Sequence, residues 1–298
     1  RGGVPGPLRA HPAAWRRLHM IAVELAKQLP RPRTWLTFAA LAAFTAVLTL
    51  SLVATGASRQ EAVGDLPLLI RPDLSGFSVP VIALASTMKF FLPLAVSVFA
   101  GEAVSGEATW GSLRYALARG ISRSRLLGSK AAVAAILSLT AVALVPLAGL
   151  VVGTVAFGWH PLPVVDGGAP GFQQTATVID PAGALGRLCV ASAYVAAGMT
   201  SIFAFAFFLS TVSGRPVVAV AGGVGLTVLS RVLNADYLPG VGVLSPYMPN
   251  NDVDRWMQLF LQPAQAGGML SFLVLQAVYA IVFGGLAWWW FTHRDVDS

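Results

Sequence analysis

Apolar positions gather into six long runs, at residues 35–53, 79–100, 131–157, 185–211, 216–233 and 269–291. About 20 apolar residues in a helix cross a hydrocarbon layer about 30 Å thick. The run at 216–233 is the shortest and is rich in glycine. The pattern predicts an all-α polytopic membrane protein with six transmembrane helices. Its organisation is an N-terminal segment (1–34), a membrane domain (35–291) and a short tail (292–298).

Shorter periodic stretches lie between the runs. In 12–29, Trp15, Leu18, Ala22, Leu25 and Leu29 recur at helical spacing, while Arg16, Arg17, Glu24, Lys27 and Gln28 fall largely elsewhere. Pro12 suits a first helical position, and Pro30 and Pro32 force the end. Such a basic amphipathic helix belongs in the membrane surface as an elbow before the first span. In 101–130, Ser112 to Arg119 form a short helix with Leu113, Ala116 and Leu117 on one face. Gly120 then suits a left-handed C-terminal cap and Ser122 an N-cap for the next helix. In the last long connection, Asn251 can cap a helix whose apolar stripe is Val253, Trp256, Met257, Phe260 and Leu261. The connection 160–184 is rich in Gly and Pro, carries only Asp166 and Asp180, and reads as an external loop without strong chemistry. The three-residue link 213–215 makes the fourth and fifth spans antiparallel neighbours.

Composition removes most other classes. Hydrophobic residues are 56% of the chain and charged residues 11%, against roughly 25% charged in an ordinary soluble domain. Mean hydropathy is +0.71. That rules out a soluble enzyme, a disordered regulator and a coiled coil. The net charge of +7 marks loops rather than a nucleic-acid face, because the basic residues flank apolar spans. Fourteen of the twenty Lys and Arg residues lie before the first span, between the second and third, and after the fourth and sixth. The positive-inside rule therefore places both termini in the cytoplasm. The Arg- and Ala-rich composition points to a bacterial inner membrane. Trp288, Trp289, Trp290 and Phe291 end the sixth run before His293 and Arg294, the signature of an interfacial anchor. The lone Cys189 allows no intrachain disulfide.

The motifs of soluble chemistry are missing. There is no GxxxxGKS/T phosphate loop, no HExxH and no GxSxG. The four histidines, His11, His19, His160 and His293, are scattered over both predicted sides. No metal, cofactor or catalytic set is expected in this chain. The six runs contain no Asp or Glu, which counts against an ion-coupled carrier. Of the charges that fall within the runs, Lys89, ten residues into the second, lies farthest from an end. A charge at that depth is a pathway candidate, and the competing expectation is that it snorkels to the surface. Pro93 cannot donate to the Lys89 carbonyl, so a kink is expected there.

The stretch 101–130, GEAVSGEATWGSLRYALARGISRSRLLGSK, resembles the coupling loop of ABC-type exporter permeases of the type V class. Members show an acidic residue, then Gly-Thr-Leu, a leucine pair, a Pro or Gly, Ser-Arg and Gly-Lys. Here Glu102 or Glu107 matches the acid, and Gly111-Ser112-Leu113 stands for Gly-Thr-Leu. Ala116-Leu117 replaces the leucine pair, and Arg119-Gly120-Ile121-Ser122-Arg123 matches the turn. Gly128-Ser129-Lys130 departs by one inserted serine. Leu244-Ser245-Pro246-Tyr247 and Arg294-Asp295-Val296 are also similar to the family. The resemblance implies a permease subunit that is not itself an enzyme. It would work with cytoplasmic nucleotide-binding ATPase subunits that hold ATP and Mg, and with a second permease subunit. Leu113 and Leu117 of the coupling helix would dock on the ATPase, with Glu102, Glu107, Arg114, Arg119 and Arg123 setting register. Lys89 and Pro93 would belong to the path. An ATPase-independent carrier and a membrane anchor or sensor are the alternatives.

Overall fold

The computed structural model describes residues 13–54, 61–62, 68–70, 75–109, 122–166, 176–234, 245–261, 263–264 and 266–293. The chain opens with α1 (Ala13–Gln28) and α2 (Pro32–Ala54). Pro32 takes the first position of α2, where its missing N–H costs nothing. The Thr34 hydroxyl donates to the Gln28 carbonyl (3.0 Å) and the Trp35 indole to that of Leu29 (2.8 Å), satisfying acceptors left open by the end of α1. The buried face of α1 differs from the expected stripe. Ile21 and Leu25 pack on the core and Glu24 is buried between them, while Ala22 and Leu29 are exposed. Trp15 and Leu18 are outside the residues whose side chains are described.

The second predicted span is not one straight helix. It divides into α3 (Ser78–Thr87) and α4 (Phe91–Thr109), set at 59° across a three-residue break. Lys89 sits in that break, half-buried. Pro93 is the third residue of α4, in the first turn, where no backbone acceptor is owed to it. The expected bend is therefore present, and Pro93 marks the start of the second helix rather than the interior of one. Lys89 thus lies at the bend and not within a continuous helix.

The third run lies in α5 (Arg123–Phe157), which passes through Pro146 and starts eight residues before the predicted apolar boundary. Ser122 takes the N-cap position with an extended backbone, without a capping hydrogen bond from its side chain. At about 1.5 Å per residue, 35 residues span about 52 Å, more than a bilayer core needs. The extra turns carry Arg123, Arg125 and Lys130. The remaining helices are α6 (Pro181–Gly198), α7 (Thr200–Ser213), α8 (Pro216–Asn234) and α9 (Met269–His293). Asp180 caps α6, its carboxylate accepting from the Gly183 N–H at 3.0 Å. The α7–α8 turn uses Gly214 in the left-handed region (φ 61°).

Two strands after α2, β1 (Glu61–Ala62) and β2 (Leu68–Ile70), join two after α5, β3 (Leu162–Asp166) and β4 (Ala176–Ile179). They form one antiparallel sheet in the order β1-β2-β3-β4. The connection 160–184, expected as a loop without strong chemistry, thus contributes two of the strands. Leu162, Val164 and Ile179 turn into the core at period two, and the sheet stands over the end of the bundle. The predicted stripe in the last connection does bury Val253, Trp256, Met257 and Phe260, within a 3-10 helix (Val253–Phe260) lying on α6. Its N-cap is Asp252, and the Asn251 side chain accepts instead from the Ser245 hydroxyl at 3.2 Å.

Among the described residues, five helical stretches are long and apolar enough to cross a membrane, and a sixth is reached if the bent α3–α4 pair counts as one. The chain is a multi-pass, mostly helical membrane protein. Helix α5 packs on α1, α2, α3 and α4, and α7 packs on α4, α8 and α9, so α4 joins the two groups.

Candidate functional site

Among the described residues, the two buried charged side chains, Glu24 and Lys130, meet where α1 packs against α5, close to the start of α2 and to α4. Lys130 ends the charged part of α5 and is followed at once by the apolar run from Ala131. Its side chain is 0% exposed, and its ammonium donates to Glu24 Oε1 at 3.0 Å. The other oxygen of Glu24 accepts from Lys27 at 3.5 Å. A fully buried ammonium is tolerable only with such a partner. Burial would push the Glu24 carboxyl up, but the Lys130 ammonium, helped by Lys27, holds it below the ordinary carboxylate value.

A second ion pair lies alongside. Arg33, in the first turn of α2, reaches Glu102 on α4, Nε to Oε2, at 2.7 Å. Between the two pairs is a cavity of about 10 Å³, lined by Glu24, Gln28, Arg33, Glu102 and Lys130 with the apolar side chains of α4 and α5. That is room for about one water, so the site is a packed electrostatic layer and not a ligand pocket. Its geometry ties α1 to α5 and α2 to α4. Helices α4 and α5 bracket residues 110–121.

Glu102 is engaged within the chain by Arg33. Glu107 falls in the last turns of α4, its side chain outside those described. Leu113, Arg114, Leu117 and Arg119, with the short helix and Gly120, lie outside the described residues. Arg123 is half-buried at the start of α5, and its guanidinium donates to the Thr292 carbonyl at the end of α9 (3.4 Å). Lys89 and Pro93 stand at the α3–α4 break, away from this layer, over the contact of Met88 with Trp256. Sequence reasoning missed Glu24, Arg33 and Lys130 as a site. Arg33 and Lys130 counted only toward orientation, and Glu24 read as part of a wet helix face. The available signal was Lys130 abutting an apolar run, since a cation there needs a partner.

No curated protein matches the chain. A family model described as "Protein of unknown function (DUF2705)" matches residues 68–296, from β2 past the end of α9. The match covers well over half of the chain, which therefore belongs to that family.

Proposed function

We propose that the chain is the transmembrane permease subunit of an ATP-binding-cassette exporter in a bacterial plasma membrane. In this reading both termini are cytoplasmic and 101–130 is the coupling loop. ATP and Mg sit on separate cytoplasmic subunits, and a second permease subunit completes the path. The observation that carries the reading is the pairing of Lys130 with Glu24 and of Glu102 with Arg33. Both helices flanking the loop are fastened by charge to the N-terminal helices. A push delivered to 110–121 would then move α1, α2, α4 and α5 together, as transmission of an ATPase stroke requires. The bent α3–α4 pair, with Lys89 and Pro93 at its break, supplies an element that can change angle.

Sheet pairing supports counting that bent pair as a single crossing. Strand β2 precedes α3 and β3 follows α5, and the two are hydrogen-bonded neighbours on one side. The chain between them must cross an even number of times. In this reading α5 and the bent pair each cross once, which makes six spans.

The test is gentle-detergent purification of the tagged chain from its own host, with mass spectrometry of what co-purifies and an ATP-hydrolysis assay. The expected result is a stoichiometric P-loop ATPase that is lost on Arg119→Glu. Arg119 is preferred to Arg123, whose contact with Thr292 would confuse folding with coupling. A folded chain that purifies alone and without hydrolysis would return the carrier and anchor readings to the front.

A further inference from the structure

At the same end of the bundle a second cavity has different chemistry. It is a groove of about 410 Å³ lined by Met20 and Ile21 of α1, by Ser124, Arg125, Gly128 and Ser129 of α5, and by Trp288 of α9. The walls from α1 and α9 are apolar, and Trp288 is half-exposed beside Trp289 and Trp290. Positions 124, 125, 128 and 129 form one face of α5. Arg125 is exposed on that face, and among the described residues its guanidinium makes no ion pair. No lining residue is acidic. The nearest carboxylate on α1, Glu24, is already held by Lys130 and Lys27. The floor is open at Gly128, where an added Cβ would meet nothing within 4 Å.

We propose that this groove binds an anionic phospholipid of the surrounding bilayer. Its phosphate lies on Arg125 and its acyl chain runs against Ile21, Met20 and Trp288. Three features select that occupant. The volume is too large for a few waters and suits a headgroup with the first part of a chain. A lone cation at the rim of an apolar wall complements an amphiphile with one negative charge, not a neutral or cationic solute. The tryptophans set the groove at headgroup depth, where amphipathic rings collect. The first turn of α5, with no side-chain cap from Ser122, adds partial positive charge beside Arg125. The site would make the seating of α1 on α5 depend on acidic lipid. The assignment rests only on the chain being a membrane protein and not on the permease reading, so either can fail without the other.

The experiment is native mass spectrometry of the full chain released from nanodiscs containing equal phosphatidylglycerol and phosphatidylcholine. The wild type is expected to retain phosphatidylglycerol in preference. Arg125→Gln should cut that preference about fivefold, the loss expected for one basic contact at an anionic surface. Gly128→Leu should expel the lipid by filling the groove while leaving the thermal unfolding midpoint unchanged or raised, since leucine favours helix over glycine. Equal retention of both lipids, or retention unaltered by both substitutions in folded protein, would overturn the proposal. So would displacement of the lipid by millimolar inorganic phosphate alone, which would mean that the site reads a free anion and not a lipid.

Discussion

The ammonium of Lys130 is the most committed charge in the described chain, with its side chain wholly enclosed and Glu24 at 3.0 Å. Lys130→Met would leave a buried carboxylate with only Lys27, which is half-exposed, as its partner. Breaking a buried pair this way costs about 3–5 kcal/mol, whereas removing both charges in Glu24→Gln/Lys130→Met should cost much less. Thermal unfolding in detergent should show the double variant more stable than Lys130→Met alone. The same pair sets a pH dependence. The folded Glu24 carboxyl titrates below its ordinary value of 4.5, so its contribution is fully present above that value. It is lost as pH falls through the lower folded one. The unfolding midpoint should fall on acidification below pH 4.5, and Glu24→Gln should flatten that limb. Lys130 could be read as a charge at the edge of an apolar run. Its partner lies 106 residues away, and helical periodicity speaks only to neighbours within a turn or two.

Elements were legible where a single helix carried its own signal and illegible where two segments had to meet. Five of the six apolar runs correspond to helical stretches, since length and composition alone demand them, although the third begins eight residues early. The second run was continuous in composition but not in shape. Met88 is held by Trp256 of the 3-10 helix Val253–Phe260, and no local pattern encodes that contact. The sheet escaped for a similar reason. Its strands are two to five residues long, and pairing β2 with β3 closes a loop around three helices. The α3–α5 contact tests the elements directly. A Cβ at Gly149 would stand 2.7 Å from the Pro80 Cα, closer than atoms pack, so α3 rests on a glycine floor. Gly149→Val should force the helices apart at a cost of about 1–3 kcal/mol. A lowered unfolding midpoint with secondary structure retained by circular dichroism would bear this out, and an unchanged midpoint would mean that α3 shifts freely. In the proposed path, Lys89→Met should reduce transport at normal expression, measured as substrate flux once a substrate is known. Unchanged flux would remove Lys89 from the path.

At the scale of the whole molecule, crossing parity decides whether one end can serve as a cytoplasmic coupling surface. If the bent pair crosses, α1, the α4–α5 connection and the end of α9 share one side of the membrane, and the sheet occupies the other. If the pair is re-entrant, the α4–α5 connection moves to the side opposite α1, and so does the end of α9. The sheet would then have to pair strands across the bilayer, which leaves its backbone groups without partners. Single cysteines distinguish the two arrangements, introduced in a Cys189→Ser background because Cys189 is exposed. The informative positions are Leu29→Cys, Ser122→Cys, Val178→Cys and His293→Cys, where the side chains are exposed. A membrane-impermeant maleimide should label Val178→Cys in intact spheroplasts and the other three only after lysis. Labelling of Ser122→Cys or His293→Cys from the side opposite Leu29→Cys would make the pair re-entrant. It would separate 101–130 from the face on which the N-terminal arginines lie, and the coupling-loop proposal would fall with it.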